Sequence, residues 1–324
     1  MTRLNESVLD LDCEKEADRI CNFMRDSLRT KLKRRGLVVA VSGGIDSTCS
    51  AALAVRALGK DKVFCLRLPE QDSTEAIGDR SQILVEHLGV NYETQNIAET
   101  LEAIGCYKRR DEAIKKVFPK YNDWKNKIVL KGGLEGKYNH FDLVVQTPDG
   151  ELLEERLPLN EYLTIVAATN YKQRIRKTVE YFHADRLNYA VVGTPNRVEY
   201  DQGFFVKNGD GSADIKPIAH LYKKQVYAMA RHLGMPESLC DAVPTTDTYS
   251  LSQGQDEFYF ALPHEKMDYA LWAHNQQIPA DELAEFLGMS ETQAELIYKD
   301  IVTKRRTTAP LHAKPYLVEN VLDI

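Results

Sequence analysis

The stretch Leu37-Val38-Val39-Ala40-Val41-Ser42-Gly43-Gly44-Ile45-Asp46-Ser47 decides the fold. Its first five residues are an unbroken apolar run, the pattern of a strand buried on both faces. The next six form a glycine-containing loop. A helical pattern then runs to Leu58, where Gly59 can stop it. Working outward, Val63 to Leu68 predicts a second strand, Ala76 to Leu88 a helix closed by Gly89, and Val90 to Ile97 a third strand. Further on, Glu161 to Arg186 predicts a long helix, Tyr189 to Gly193 another buried strand, and Lys223 to Leu233 a helix ending at Gly234. Alternating strands and helices call for a mainly parallel sheet with right-handed crossovers. Upstream, residues 12–35 read as an amphipathic helix with Ala17, Ile20, Cys21, Met24, Leu28 and Leu32 on one face. Its basic end, Arg29 to Arg35, suits a helix C-terminus.

Residues 107–160 break this rhythm. Tyr107 to Lys137 carries ten Lys or Arg against four Asp or Glu, and Tyr138 to Glu161 carries one against six. Phe141 to Val145, a Pro148-Asp149-Gly150 turn and Leu152 to Leu157 predict a β-hairpin. The segment reads as an insertion at the edge of the sheet. No repeat or low-complexity tract accompanies it.

The composition is that of a globular chain: 324 residues, 43% apolar and 28% charged. No run approaches the ~18 apolar residues of a membrane span, and the first residues lack an apolar signal core. A cytoplasmic protein is expected. The net charge of −6 gives no case for nucleic acid. Six cysteines form no CxxC pair or zinc spacing, so small buried thiols are expected.

The loop Ser42 to Ser47 carries the first chemistry. Two glycines let backbone N–H groups approach a ligand, and the following helix N-terminus attracts an anion. Ser42 and Ser47 add hydroxyls. Asp46 is repulsive beside phosphate unless it holds Mg²⁺, which takes one or two carboxylates plus substrate phosphates. The loop is neither a Walker A sequence nor G-x-G-x-x-G.

SGGxDS after a first strand resembles the loop of the N-type ATP pyrophosphatases, which cleave ATP to AMP and pyrophosphate while adenylating an acceptor. A second block narrows the choice. It comprises Asn170-Tyr171-Lys172-Gln173-Arg174-Ile175-Arg176, Gly193-Thr194-Pro195-Asn196-Arg197-Val198-Glu199, Gly203 to Asp214 and Leu221-Tyr222-Lys223. Pro244-Thr245-Thr246-Asp247 and Lys304-Arg305-Arg306 follow. In this order the motifs resemble NAD synthetase over about residues 12–105 and 160–318. The resemblance implies a Rossmann-like, adenine nucleotide alpha hydrolase-like α/β fold of three layers. It implies a ligase that amidates deamido-NAD with ammonia through an adenylate, giving NAD, AMP and pyrophosphate. ATP is then the co-substrate and Mg²⁺ the cofactor.

The same resemblance assigns roles. Asp46 and Glu199 are expected as the catalytic, Mg²⁺-binding carboxylates. Ser42, Gly43, Gly44, Ile45, Asp46, Ser47, Thr194, Lys223 and Thr245 are expected to bind ATP. Arg174, Lys207, Asp214 and Lys304 are expected to bind deamido-NAD. Thr303 stands where the family often has His. Lys223 lies at the start of its predicted helix, where a cation is disfavoured, so a phosphate partner would explain it.

Only about 36 residues precede the first strand, too few for the amidase domain of glutamine-dependent members. One NAD synthetase domain over 1–324, with the 107–160 insertion and no glutaminase domain, is expected. Free ammonia, or ammonia from a separate glutaminase docked on the basic stretch 107–137, would supply the nitrogen. A homodimer is implied, with the N-terminal helix and the 161–186 helix as the surfaces. Two alternatives stay open: a related enzyme acting on another carboxylate, and a nucleotide-binding regulator without turnover.

Overall fold

The computed structural model describes residues 3–132, 140–241, 248–251, 253–254, 259–260, 262–319 and 321. The apolar run becomes β1 (Leu37–Ala40), in the middle of a parallel sheet. β2 (Val63–Arg67) and β3 (Asn91–Thr94) follow on one side, and Ala190–Val192 pairs on the other, giving the order β3-β2-β1 and then the strand at 190–192. The chain therefore reverses its direction of growth at β1. Ligands in open α/β sheets bind outside the strand ends at such a switch point.

Successive residues of β1 face opposite layers, as the pleat requires. Leu37 and Val39 join a core with Ala17, Ile20, Met24, Leu53, Val226 and Met229. Val38 joins a second core with Leu66, Ile97, Leu101, Ala184 and Val191. The first layer is built from α1 (Cys13–Asp26) and α2 (Ile45–Leu58). α2 is buried almost all round, which its small residues Ser50, Ala51, Ala52 and Ala54 permit. The three-layer α/β architecture expected from the sequence is the one observed. The first helix is shorter than expected: it passes into a wider turn at Ser27–Leu32 and ends at Lys33, whose φ is 53°. Arg35 then anchors to the far end of the long helix, its N–H donating to the Asn188 carbonyl at 3.0 Å.

α3 (Glu75–Leu88) ends at Gly89, as read. α4 (Ala98–Ala103) and α5 (Cys106–Val117) lead into an antiparallel sheet of β4 (Lys125–Lys131), β5 (His140–Gln146) and β6 (Leu152–Arg156). The hairpin expected at 141–157 is present as β5 and β6. β4 was not legible, because Lys125, Lys127 and Lys131 mark it as a charged stretch. The sheet does not extend the parallel one. It closes over its own core of Ile114, Tyr121, Ile128, Leu143, Val145 and Ile165. β3 is left as an exposed edge, all four of its residues solvent-facing.

α6 (Leu159–Leu187) is 29 residues long and returns the chain to β7 (Ala190–Val192). α7 (Arg197–Gln202), α8 (Lys223–His232) and α9 (Glu237–Cys240) follow. α10 (His264–Asn275), α11 (Ala280–Leu287) and α12 (Glu291–His312) pack on a separate core around Met267, Leu271, Leu283 and Ile297. All six cysteines are free thiols, five of them buried. Among the described residues no helix is long and apolar enough to cross a membrane.

Candidate active site

The loops leaving β1 and β7 meet at the switch point. Gly44 is the N-cap of α2 and supplies no side-chain cap. The N–H groups of the first helical turn have no intrahelical partner, and Ile45, Asp46 and Ser47 occupy that turn at the wall of a cleft of about 860 Å³. Such a helix start is suited to an anion. Ser42 and Ser47 brace it: Ser47 Oγ donates to the Gly44 carbonyl at 2.9 Å, and the Gly44 N–H reaches Ser42 Oγ at 3.3 Å. Gly43 has φ +76°, and a Cβ there would lie 2.6 Å from the Cβ of Arg80. Helix α3 is pressed against the loop, so only glycine fits.

After β7, Asn196 caps α7 in a capping box. Its Oδ1 accepts the N–H groups of Val198 and Glu199 at 3.0 and 3.1 Å, and Glu199 Oε2 accepts the Asn196 N–H at 3.2 Å. The Asn196 amide also donates to Asp46 Oδ1 at 3.2 Å, tying the two loops together. Lys223, buried at the first position of α8, donates its ammonium to Asp46 Oδ2. Burial opposes the charge on Lys223, but Asp46 and Glu199 outweigh it and hold its pKa above the ordinary lysine value. The N-terminus of α8 is completed from outside: Asp268 accepts the N–H groups of Lys223 at 3.2 Å and Lys224 at 2.8 Å. Burial pushes the Asp268 carboxyl up to about 7, against the pull of those two N–H groups. The cation at a helix start is thus explained by a carboxylate partner and a carboxylate cap.

Ser42, Gly44, Ile45, Asp46, Ser47, Thr194, Glu199 and Lys223 all line the cleft. Gly43 supports it from behind. Arg174 and Lys207 line it too, the Arg174 Nε donating to the Lys207 carbonyl at 3.3 Å and Lys207 Nζ to the Pro310 carbonyl at 2.7 Å. Asp214 and Lys304 do not line it. Asp214 Oδ2 accepts the Val191 N–H at 2.8 Å. Lys304 pairs with Asp300 and lies 4.9 Å from the centre of the Tyr259 ring. Thr245 lies outside the described residues. Arg176, two positions from Arg174, reaches the same cleft, its Nε donating to the Leu68 carbonyl at 3.2 Å.

Two groups were not foreseen. Arg80 lines the cleft beside the loop, and its buried Nε has no hydrogen-bond partner among the described residues. Nothing in the Asp79-Arg80 sequence announces this, because it depends on α3 leaning on Gly43. The second is a buried ionic cluster. Lys172 Nζ contacts Glu70 at 2.9 Å and Asp72 at 2.6 Å, Arg110 pairs with Asp72 at 2.6 Å, and Tyr107 donates to Glu70 at 2.8 Å. Glu70 and Lys172 face the cleft. Lys172 stands inside the quoted 170–176 motif, yet its partners lie 102 and 100 positions away, out of reach of any local reading.

The sequence model of the NAD synthase family matches residues 16–122 and 125–307. The chain belongs to the NAD synthase family. Among its relatives is an NH3-dependent NAD+ synthetase of Rhizobium meliloti, 52% identical over 98% of this chain and 95% of that one. Another, from Rhizobium rhizogenes, is 50% identical over 98% and 96%. The solved NH3-dependent NAD synthetase of Campylobacter jejuni, 23% identical, superimposes with a TM-score of 0.62 over 95% of this chain and all of that one. That similarity shows the fold. The NAD synthase relatives match the main functional reading of the sequence.

Proposed function

We propose that this chain amidates deamido-NAD with ammonia at the expense of ATP. The observation that carries the reading is the convergence of Asp46, Asn196, Glu199 and Lys223 on an uncapped helix N-terminus beside a large cleft. Near-full-length relatives that are half identical and carry the name NH3-dependent NAD+ synthetase support it.

The chemistry is a meeting of anions. The nicotinate carboxylate attacks the α-phosphorus of ATP, the bond to pyrophosphate breaks, and an acyl adenylate forms. Ammonia then adds to the acyl carbon, a proton is lost, and AMP leaves with the amide formed. The first step needs fixed positive potential where charge collects on the departing pyrophosphate. The N–H groups of the Ile45 to Ser47 turn and the Lys223 ammonium supply it. Arg174 and Lys207 extend positive charge along the cleft toward the dinucleotide. Asp214, Lys304 and Thr245 retain their proposed ligand roles on the resemblance alone.

Asp46 and Glu199 fit a Mg²⁺ ion: both are hard oxygen donors on the cleft wall, and both act on the charge of Lys223. The ion, when bound, neutralises phosphate charge. The protein is proposed to be cytoplasmic and a homodimer. Exposed Leu159, Leu163 and Phe182 on α6 and Phe23 on α1 give apolar surface for such contact.

The test is a product assay with purified protein, deamido-NAD, ATP, Mg²⁺ and ammonium. NAD and AMP should form in equal amounts and stop without ammonium, and glutamine should not replace it. AMP without NAD, or no product while ATP binds, would sink the reading.

A further inference from the structure

We propose that the antiparallel sheet β4–β6 is a mount for one wall of the cleft, holding Thr248 to Leu251 and Gln253 in place through its free β4 edge. This inference rests on the proposed function for its catalytic readout. In the order β4-β5-β6, one edge of β4 has no strand beside it among the described residues. Such an edge presents unpaired backbone groups at alternate residues and accepts another segment readily. Here three of those groups are taken by the segment that follows α9. The Asn126 N–H donates to Ser250 Oγ at 2.9 Å, and the Asn126 carbonyl accepts the Leu251 N–H at 3.1 Å. Two residues along, the Ile128 carbonyl accepts from Gln253 Nε2 at 2.5 Å.

Two further contacts fix the same segment. Tyr249 is buried in the core of the antiparallel sheet, with Ile114, Ile128, Leu143 and Ile165. The Thr248 carbonyl accepts from Lys172 Nζ at 3.0 Å, so it is bound to the buried cluster of Glu70, Asp72 and Arg110. Arg110 and Tyr107 come from α5, on the approach to this sheet. Helix α5 and strand β4 therefore grip the cleft wall twice, once through Glu70 and Asp72 and once through Ser250, Leu251 and Gln253. Thr248 and Tyr249 themselves line the cleft. Ser250, Leu251 and Gln253 are positioning residues that act through them.

The experiment compares wild type with a Ser250→Ala/Gln253→Ala double variant, and with Ser250→Thr as the conservative variant. Initial rates of NAD formation are measured with ATP and deamido-NAD varied separately, alongside thermal unfolding and limited chymotrypsin digestion. The double variant should unfold within a few degrees of wild type. It should be cut near Tyr249 or Leu251 at least tenfold faster, and lose at least fivefold in kcat/KM for one or both substrates. Ser250→Thr should stay within twofold of wild type. Unchanged digestion would overturn the docking. Faster digestion with kcat/KM values within twofold would overturn the positioning role. If wild type forms no NAD, the proposed function fails instead, and digestion alone decides whether the edge holds the segment.

Discussion

The Lys223 ammonium is bound to the Asp46 carboxylate across 177 positions of sequence. One residue opens helix α8 and the other sits in the first turn of helix α2, so the contact joins the two loops at the switch point. Without it, two carboxylates and an anion-seeking helix end would face the same cleft with no buried cation between them.

Lys223→Met and Asp46→Asn are each expected to lower kcat/KM for ATP by about 10²–10³-fold, the cost of one fixed charge at a developing anion. Because the two act as a unit, the double variant should fall little further than the worse single. Steady-state kinetics on the three proteins checks this. Full additivity would mean that the contact is incidental.

Gly43 and Gly44 should respond oppositely to alanine. At Gly43 a Cβ meets Arg80 and the Ser81 N–H at 2.6 and 2.8 Å with φ at +76°. Strain of about 1–3 kcal/mol should appear as a lower unfolding temperature and weakened ATP binding. At Gly44 the backbone is extended and only Ser42 Oγ lies within 3.3 Å. Gly44→Ala should therefore keep its stability, measured by calorimetry.

Arg80 has a buried Nε beside the loop, with no hydrogen-bond partner among the described residues. A hydrogen bond to a charged group contributes about 1.5–3 kcal/mol, so Arg80→Ala should raise KM for ATP by about 10–100-fold. Arg80→Lys should recover part of the loss, since lysine keeps the charge but not the fork of donors. The KM for deamido-NAD should move less than that for ATP.

Asp268 gives a pH signature. Burial raises its pKa to about 7 in the folded protein, against about 3.9 unfolded. The folded state therefore keeps a proton that the unfolded state has lost between about pH 4 and 7, and this contribution to stability falls as pH rises through that window. Asp268→Asn removes the titration and sets an amide NH2 against one of the two N–H groups, of Lys223 and Lys224, that Asp268 accepts. The variant should be less stable by about 1–3 kcal/mol, with the deficit largest near pH 4 and shrinking toward pH 7. Urea unfolding at several pH values reads this directly, and a pH-independent deficit would refute it.

The antiparallel sheet shows where local reading stopped. Its hairpin was legible because Pro148-Asp149-Gly150 separates two apolar runs, and the structure turns there, with Gly150 at φ +86°. β4 was not, because its lysines are those of a solvated stretch while Asn126 and Ile128 are fully buried by partners elsewhere. Lys172 was passed over for a similar reason. A lysine on a helix reads as surface until Glu70 and Asp72 are brought to it.

The sequence by itself determined the alternation of elements, the buried first strand, the glycine-containing loop at its end and the family. Each of these is written in nearest-neighbour terms: periodicity, glycine freedom and ordered motifs. Only the tertiary structure decided which charges meet. Asp46 with Lys223, Arg110 with Asp72, and the β4 edge with Ser250, Leu251 and Gln253 are pairings between distant segments. Their energies come from burial and geometry that no local stretch contains.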